Sequence, residues 1–272
     1  MKTFRIIRII FAVPIAALTL SYIGMCIYWI CTGCRYGIRT CSIVFIRLLP
    51  WMLIASALGV MIVSVRSIRR IRRFKTALEH CRESGADEAS EEELDRELER
   101  LGGDDEYKKL LKASAMLSCS AFKKCCAELD AIDFSALTPT EEEEYFNMLI
   151  YCLLVQGERR RAVETYLLCG HYFKRALARG GTQHIRHTVA MVYYAVGEYD
   201  KAERLLIEAR MVSDKELRCD CDLYLALCFL RTGRLEAAKN AVISASAGAT
   251  TSRQQQELEH LKRAVKHSFG RG

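Results

Sequence analysis

Two long apolar runs dominate the first quarter of the chain. Residues 9–30 carry no charged side chain over 22 positions, and residues 48–65 carry none over 18. A helix crosses a hydrocarbon core of about 30 Å with about 20 predominantly apolar residues. The pattern therefore predicts a transmembrane helical hairpin that anchors residues 1–75. Pro50 fits the first turn of the second helix, where a missing backbone N–H costs little.

Basic residues flank the apolar runs and set the expected topology. Three precede the first run, and six follow the second within ten residues: Arg66, Arg69, Arg70, Arg72, Arg73 and Lys75. Because basic residues concentrate on the cytoplasmic side of membrane helices, we expect an integral membrane protein with two spans. Both termini would lie in the cytoplasm, and the membrane would be the plasma (cell) membrane. Two roles fit the six-residue cluster equally: contact with anionic lipid headgroups, at about 1 kcal/mol per side chain, or a signal that only fixes the topology.

An acidic segment follows the basic cluster. Between Glu83 and Glu106 the sequence holds twelve acidic and two basic residues. Ser90 and Glu93 have the spacing of a capping box, and three leucines follow at helical spacing. We therefore expect residues 76–106 to form a charged linker with one short amphipathic helix, solvated rather than folded back on the basic cluster.

Between residues 150 and 245, small residues and glycines recur at fixed offsets within stretches that have the apolar periodicity of helices. The order is small, aromatic, glycine, aromatic, small, small, at offsets 0, 3, 7, 9, 12 and 19. Its clearest copy is Ala190, Tyr193, Gly197, Tyr199, Ala202 and Ala209. A second good copy contains Ala226, Phe229, Gly233 and Ala238, and a weaker copy contains Gly157 and Ala162. The three glycines lie 40 and 36 residues apart.

This order of residues resembles the tetratricopeptide repeat (TPR), whose standard length is about 34 residues. The resemblance covers residues 140–245 and implies stacked antiparallel helix hairpins, each turned at its glycine. The implied fold class is all-α, with the N-terminal transmembrane helical hairpin followed by a cytoplasmic TPR-like α-α solenoid over residues 107–272. Residues 107–133 would add a degenerate hairpin, broken near Ser118–Ser120, and a polar helix over residues 251–268 would cap the stack.

Ligands of this family usually lie along the inner groove, which the first helix of each hairpin lines. Carried onto this chain, the resemblance implies a partner-binding groove of Asn147, Tyr151, His187, Met191, Tyr194, Leu227 and Arg231. This mixture suits a peptide or a partner helix. His187 and Leu223 stand where the chaperone-binding subfamily would place polar clamp residues, which argues against capture of a terminal carboxylate. The alternative is that neighbouring helices cover part of this face.

The residue types that carry catalysis or bind metals form no recognisable site. The sequence contains no glycine-rich phosphate loop, no serine nucleophile elbow and no HExxH motif. His184 and His187 lack a confident third ligand for a catalytic zinc. The cluster of Cys31, Cys34 and Cys41 lacks the second cysteine pair of a structural zinc site. We expect no enzyme activity, no cofactor and no metal, while a redox or metal role for the three cysteines stays open.

The net charge of +7 is a sum of unlike blocks. Nucleic-acid binding needs a basic face on a folded domain, whereas the densest basic run here follows an apolar helix, so no nucleic-acid partner is expected. We expect a membrane-anchored adaptor or scaffold for protein–protein interaction, with the lipid bilayer and a protein or peptide as partners. The alternative is an accessory subunit of a membrane enzyme or of a secretion or envelope complex, in which the transmembrane helices form the functional interface.

Overall fold

The computed structural model of the chain describes residues 35–180 and 182–269, with side chains from Ile54 onward except at residues 55, 56, 60 and 269. Every regular element within these residues is a helix, and none of them is a strand. The expected all-α class is therefore confirmed. The chain divides into two compact units, residues 1–76 and residues 77–272.

Eleven α-helices lie in the described residues, and a single 3₁₀ turn, Phe134–Ala136, accompanies them. In chain order they are α1 (Arg35–Ser84), α2 (Glu88–Leu101), α3 (Asp105–Ser118), α4 (Phe122–Asp130), α5 (Pro139–Val155), α6 (Arg159–Ala178), α7 (Gln183–Ala195), α8 (Tyr199–Ala209), α9 (Lys215–Arg231), α10 (Leu235–Ser246) and α11 (Ser252–Phe269).

The described helices contradict the predicted membrane location. Among the described residues, no helix combines the length and the apolar character needed to cross a membrane. The first predicted span, residues 9–30, lies outside the described residues.

Two further expectations depended on that location. The six basic side chains, Arg66, Arg69, Arg70, Arg72, Arg73 and Lys75, are exposed on α1. Their assignment to lipid headgroups or to topology stays a prediction, as does the bilayer as a partner. The alternative of a membrane-complex subunit also stays a prediction.

The acidic segment expected to be a solvated linker is packed instead. Helix α2 begins after Asp87, whose carboxylate accepts a hydrogen bond from the Ser90 N–H at 2.9 Å, so Asp87 rather than Ser90 caps the helix. Leu94 and Leu98 are buried. Asp95 forms an ion pair with Lys112 of α3 at 2.9 Å. Burial of the leucines and cross-helix ion pairs hold α2 against the solenoid.

The same turn joins the two helices of successive hairpins. At Gly197, φ is +86°; the Gly197 N–H donates to the Tyr194 carbonyl at 3.1 Å and the Glu198 N–H to the Tyr193 carbonyl at 2.9 Å. This Schellman arrangement satisfies the last carbonyls of the helix and favours glycine, which has no Cβ.

Three other turns repeat this geometry. Gly157 and Gly233 have φ of +80° and +74° and make the same two hydrogen bonds with their following residues. Ser120, with φ of +59°, occupies the equivalent position between α3 and α4. The described chain therefore contains a fourth hairpin of this type, in the segment whose sequence pattern is degenerate.

Small side chains occupy the positions where helices cross closely. All of the following alanines are completely buried: Ala162, Ala190, Ala202, Ala209, Ala226 and Ala238. Larger side chains there would force packed helices apart. The aromatic positions of the pattern, Tyr193, Tyr199 and Phe229, are partly buried and pack against the core. The packing is thus that of a helical repeat.

Alternate helices form an inner row. Helices α3, α5, α7, α9 and α11 each contact the next member of this row. The intervening helices α4, α6, α8 and α10 each contact their hairpin partner and the following inner helix. Helix α11 continues the row at its end by burying Leu258, Leu261 and Val265. The inner helices therefore lie side by side and line one common face of the stack.

Candidate functional site: a groove along the inner helices

Two adjoining cavities lie between the inner helices. The first, which we call the wide cavity, has a volume of about 420 Å³ and is lined by α3, α5 and the start of α7. The second, which we call the narrow cavity, has a volume of about 150 Å³ and extends to the first turns of α9. Because Leu117, Asn147 and His184 line both cavities, the two form one continuous groove, which we call the inner groove.

The wide part of the inner groove is largely apolar. Leu110, Leu111 and Leu117 of α3 contribute to it together with Met148 of α5 and Ile185 of α7. Leu110, Met148 and Ile185 are buried, whereas Leu111 and Leu117 are half-buried. Their remaining exposed surface offers an apolar partner side chain a place to lose contact with water.

Helix α5 supplies several of the polar residues of the groove. Its start is fixed by a reciprocal capping box between Thr138 and Glu141, with Pro139 in the first turn. Glu144, Asn147 and Tyr151 follow at offsets of three and four, which place them on one side of the helix. Asn147 Oδ1 is buried and has no hydrogen-bond partner among the described residues.

His187 of α7 forms part of the wall of the narrow cavity. It is 2% exposed, and its Nε2 atom is buried without a hydrogen-bond partner in the described chain. Burial lowers the pKa of His187 to about 4, although the nearby Asp220 carboxylate acts in the opposite direction. The ring is therefore uncharged at neutral pH, and a neutral imidazole has one nitrogen that accepts a hydrogen bond.

A buried polar network closes the far end of the narrow cavity. The Asp220 carboxylate of α9 accepts hydrogen bonds from Arg253 at 2.7 Å on both oxygens. It also accepts from the Tyr151 hydroxyl at 3.1 Å and from Gln254 Nε2 at 2.8 Å. Burial, followed by the adjacent Asp220 charge, raises the pKa of Tyr151 well above its usual value, so the hydroxyl keeps its proton. The network joins α5, α9 and α11.

Acidic side chains line the groove, and no lysine or arginine is among the described residues that line either cavity. Most of these carboxylates already have partners behind the wall. Glu143 pairs with Arg175 and Arg179, Glu216 with Arg82 and Asp220 with Arg253. Asp214 caps α9 by accepting from the backbone of Glu216 and Leu217.

Glu144 has a different environment. It is exposed at the edge of the wide cavity. Partial burial raises its pKa, and the neighbouring charges that act on it, Glu141 and Glu143, are negative and raise it further. Among the described residues, the charges that shift the pKa of Glu144 are therefore both negative.

The structure separates the seven residues of the expected groove. Asn147, Tyr151 and His187 line the cavities. Met191 and Tyr194 are buried in the core at 1% and 8% exposure, and Leu227 packs partly buried against it. Arg231 is exposed. The close contacts of α7 with α9 fill this part of the inner face, as the alternative interpretation allowed.

The sequence interpretation missed several residues of the groove. Glu144 lies one turn from Asn147, so helical spacing alone could have included it. Asp220 and Arg253 are 33 residues apart, and no local pattern signals their pairing.

Cysteines and histidines form no metal-binding cluster in the described part of the chain. No group of three or more potential metal ligands is present among the described residues. The buried thiols Cys169, Cys219 and Cys228 have pKa values raised to about 12, chiefly by burial, which disfavours the reactive thiolate. Cys31, Cys34 and Cys41, the candidate redox or metal cluster, have no described side chains.

Comparisons with known proteins gave no match at the level of family models, curated proteins or solved structures.

Proposed function

We propose that this protein is a TPR-like docking module that binds a peptide or helical segment of a partner protein in its inner groove. Three recurring features support the TPR assignment: glycine turns of the same geometry, completely buried alanines at the crossings, and an inner row of first helices. Stacked hairpins of this kind present an extended surface on their inner side.

The continuous inner groove is the observation that carries this proposal. Its wide cavity of about 420 Å³ has an apolar wall with polar residues at the edges. A mainly apolar concavity with a few placed polar groups is typical of binding sites. Its extension across α3, α5 and α7 suits an elongated ligand better than a compact metabolite.

A peptide selection with a blocking variant tests the proposal. A random peptide library is selected on the immobilised full chain, and the enriched peptides are titrated against purified variants. Ser114 is exposed on α3 within the wide cavity, so Ser114→Trp fills the groove without entering the core. Ala127 is exposed on α4 and lines neither cavity, so Ala127→Trp is the matched control.

The proposal predicts that Ser114→Trp weakens binding of the enriched peptides at least about tenfold, a loss near 1.4 kcal/mol. Ala127→Trp leaves the affinity unchanged. Peptides that bind both variants equally, or a selection that enriches none, would contradict a docking role for the inner groove.

A further inference from the structure

We propose that the inner groove recognises a basic partner segment, with a lysine or arginine side chain anchored at Asn147 between Glu144 and His187. This inference rests on the proposed docking function and adds the chemical class of the partner. It commits to a cationic, partly apolar peptide as the occupant.

The charge pattern of the groove is the first argument. Its described lining residues include acidic side chains and neither lysine nor arginine. The arginines closest to the carboxylates, among them Arg175, Arg82 and Arg253, already pair with Glu143, Glu216 and Asp220. Glu144 differs, because the charges acting on it are negative. A partner cation would supply the missing counter-charge.

The buried acceptors are a second and independent argument. Asn147 Oδ1 and His187 Nε2 are both buried without a hydrogen-bond partner in the described chain. Buried polar atoms in native proteins are almost always hydrogen-bonded. His187 is 2% exposed and forms part of the narrow cavity, and Asn147 stands where the two cavities meet. With Nδ1 protonated, neutral His187 accepts at Nε2, so both atoms call for a donor.

A lysine or arginine side chain would supply both the positive charge and the hydrogen-bond donors. An ammonium group has three donors and a guanidinium group has five, and neither has an acceptor. The narrow cavity of about 150 Å³ has room for one such head group, since a water molecule occupies about 30 Å³. The aliphatic stem would then cross the wall of Leu117, and neighbouring apolar residues of the peptide would occupy the wide cavity.

An acidic ligand fits the groove poorly. A carboxylate or phosphate at the same place would face the Glu144 carboxylate, whose negative charge repels it. The nearby arginines already form ion pairs with carboxylates of the groove, so they would not neutralise the charge of such a ligand. For the same reasons, the groove does not suit a terminal carboxylate of the kind that chaperone-binding repeats clamp.

The peptides enriched on the full chain provide the test. Lysine and arginine are expected to be over-represented at one position, next to apolar residues. Replacing that basic residue by norleucine, or by citrulline for arginine, is expected to weaken Kd about tenfold, the range of one charge-assisted hydrogen bond. Glu144→Gln is expected to weaken Kd by a similar factor. Glu236→Gln, at an exposed site on α10 outside the groove, leaves Kd unchanged.

A further variant separates binding from folding. Asn147→Leu keeps the volume of the side chain and removes the buried acceptor, so binding is expected to weaken while the midpoint of thermal unfolding stays equal or rises. Enriched peptides that are blocked by Ser114→Trp but are neutral or acidic would overturn the inference and leave the docking function standing. Peptides insensitive to Ser114→Trp would overturn the docking function itself.

Discussion

Replacement of Arg253 by methionine tests whether the polar network holds α11 onto the solenoid. The Arg253 guanidinium donates to both Asp220 oxygens at 2.7 Å, and the two side chains are 18% and 10% exposed. Methionine keeps much of the apolar stem but leaves the Asp220 charge buried without its cation. Removing one partner of a fully buried pair costs about 3–5 kcal/mol.

Two features of the structure reduce that cost. Asp220 keeps its hydrogen bonds from Tyr151 and Gln254, and the partial exposure of the pair admits some solvent screening. We therefore expect Arg253→Met to lower the free energy of unfolding by about 2–4 kcal/mol. At about 2–4 °C per kcal/mol for a domain of this size, the midpoint of thermal unfolding falls by roughly 5–15 °C.

A matched control and a rescue sharpen the measurement. Arg160 pairs with Glu164 at 2.8 Å, but the two side chains are 91% and 56% exposed, so Arg160→Met is expected to cost at most about 0.5 kcal/mol. Asp220→Asn in the Arg253→Met background removes the stranded charge and should recover part of the loss. Urea unfolding of the full chain, followed by far-UV circular dichroism, measures all four proteins. Equal losses for the two arginine variants, or no recovery by Asp220→Asn, would refute the reasoning.

Three other substitutions test the fold and its titration. Gly197→Ala places a Cβ at φ of +86° and should cost about 1 kcal/mol, whereas Gly170→Ala, inside α6 with no neighbour within 4 Å of the new Cβ, should be neutral or stabilising; thermal unfolding compares the two. Ser120→Gly should stabilise the fold by about 0.5–1 kcal/mol because it relieves a φ of +59°; an unchanged midpoint would contradict the strain. Burial lowers the pKa of His187 to about 4, so the unfolded chain binds its proton first as the pH falls below about 6.5, and stability should drop by up to about 3 kcal/mol between pH 6.5 and 4. In His187→Leu this contribution to the pH dependence should be absent, which chemical denaturation at several pH values would reveal.

The repeat architecture could be predicted because its signals are local. Gly157, Gly197 and Gly233 mark turns that only a few residues define, and buried alanines recur at fixed offsets from them. The hairpin around Ser120 was harder to recognise because serine replaces the glycine of the turn. Its conformation follows from the packing of α3 and α4 rather than from residue preference.

The acidic helix and the groove depended on contacts between distant residues. The charge of α2 indicated a solvated segment, yet Lys112 of α3 and the buried Leu94 stabilise it against the fold. Met191 and Tyr194 share the inner side of α7 with His187, but the close approach of α9 buries them. Helical periodicity identifies the side of a helix, and it does not show which turns of that side the next helix covers.

The central claim is that a partner segment occupies the inner groove, and hydrogen–deuterium exchange of the full chain with a selected peptide tests it most directly. The predicted result is slower exchange in α3, in the first half of α5 and in the first turns of α7, with no change in the outer helices α4, α6, α8 and α10. Protection confined to the outer helices, or spread over the inner and outer helices alike, would contradict the claim.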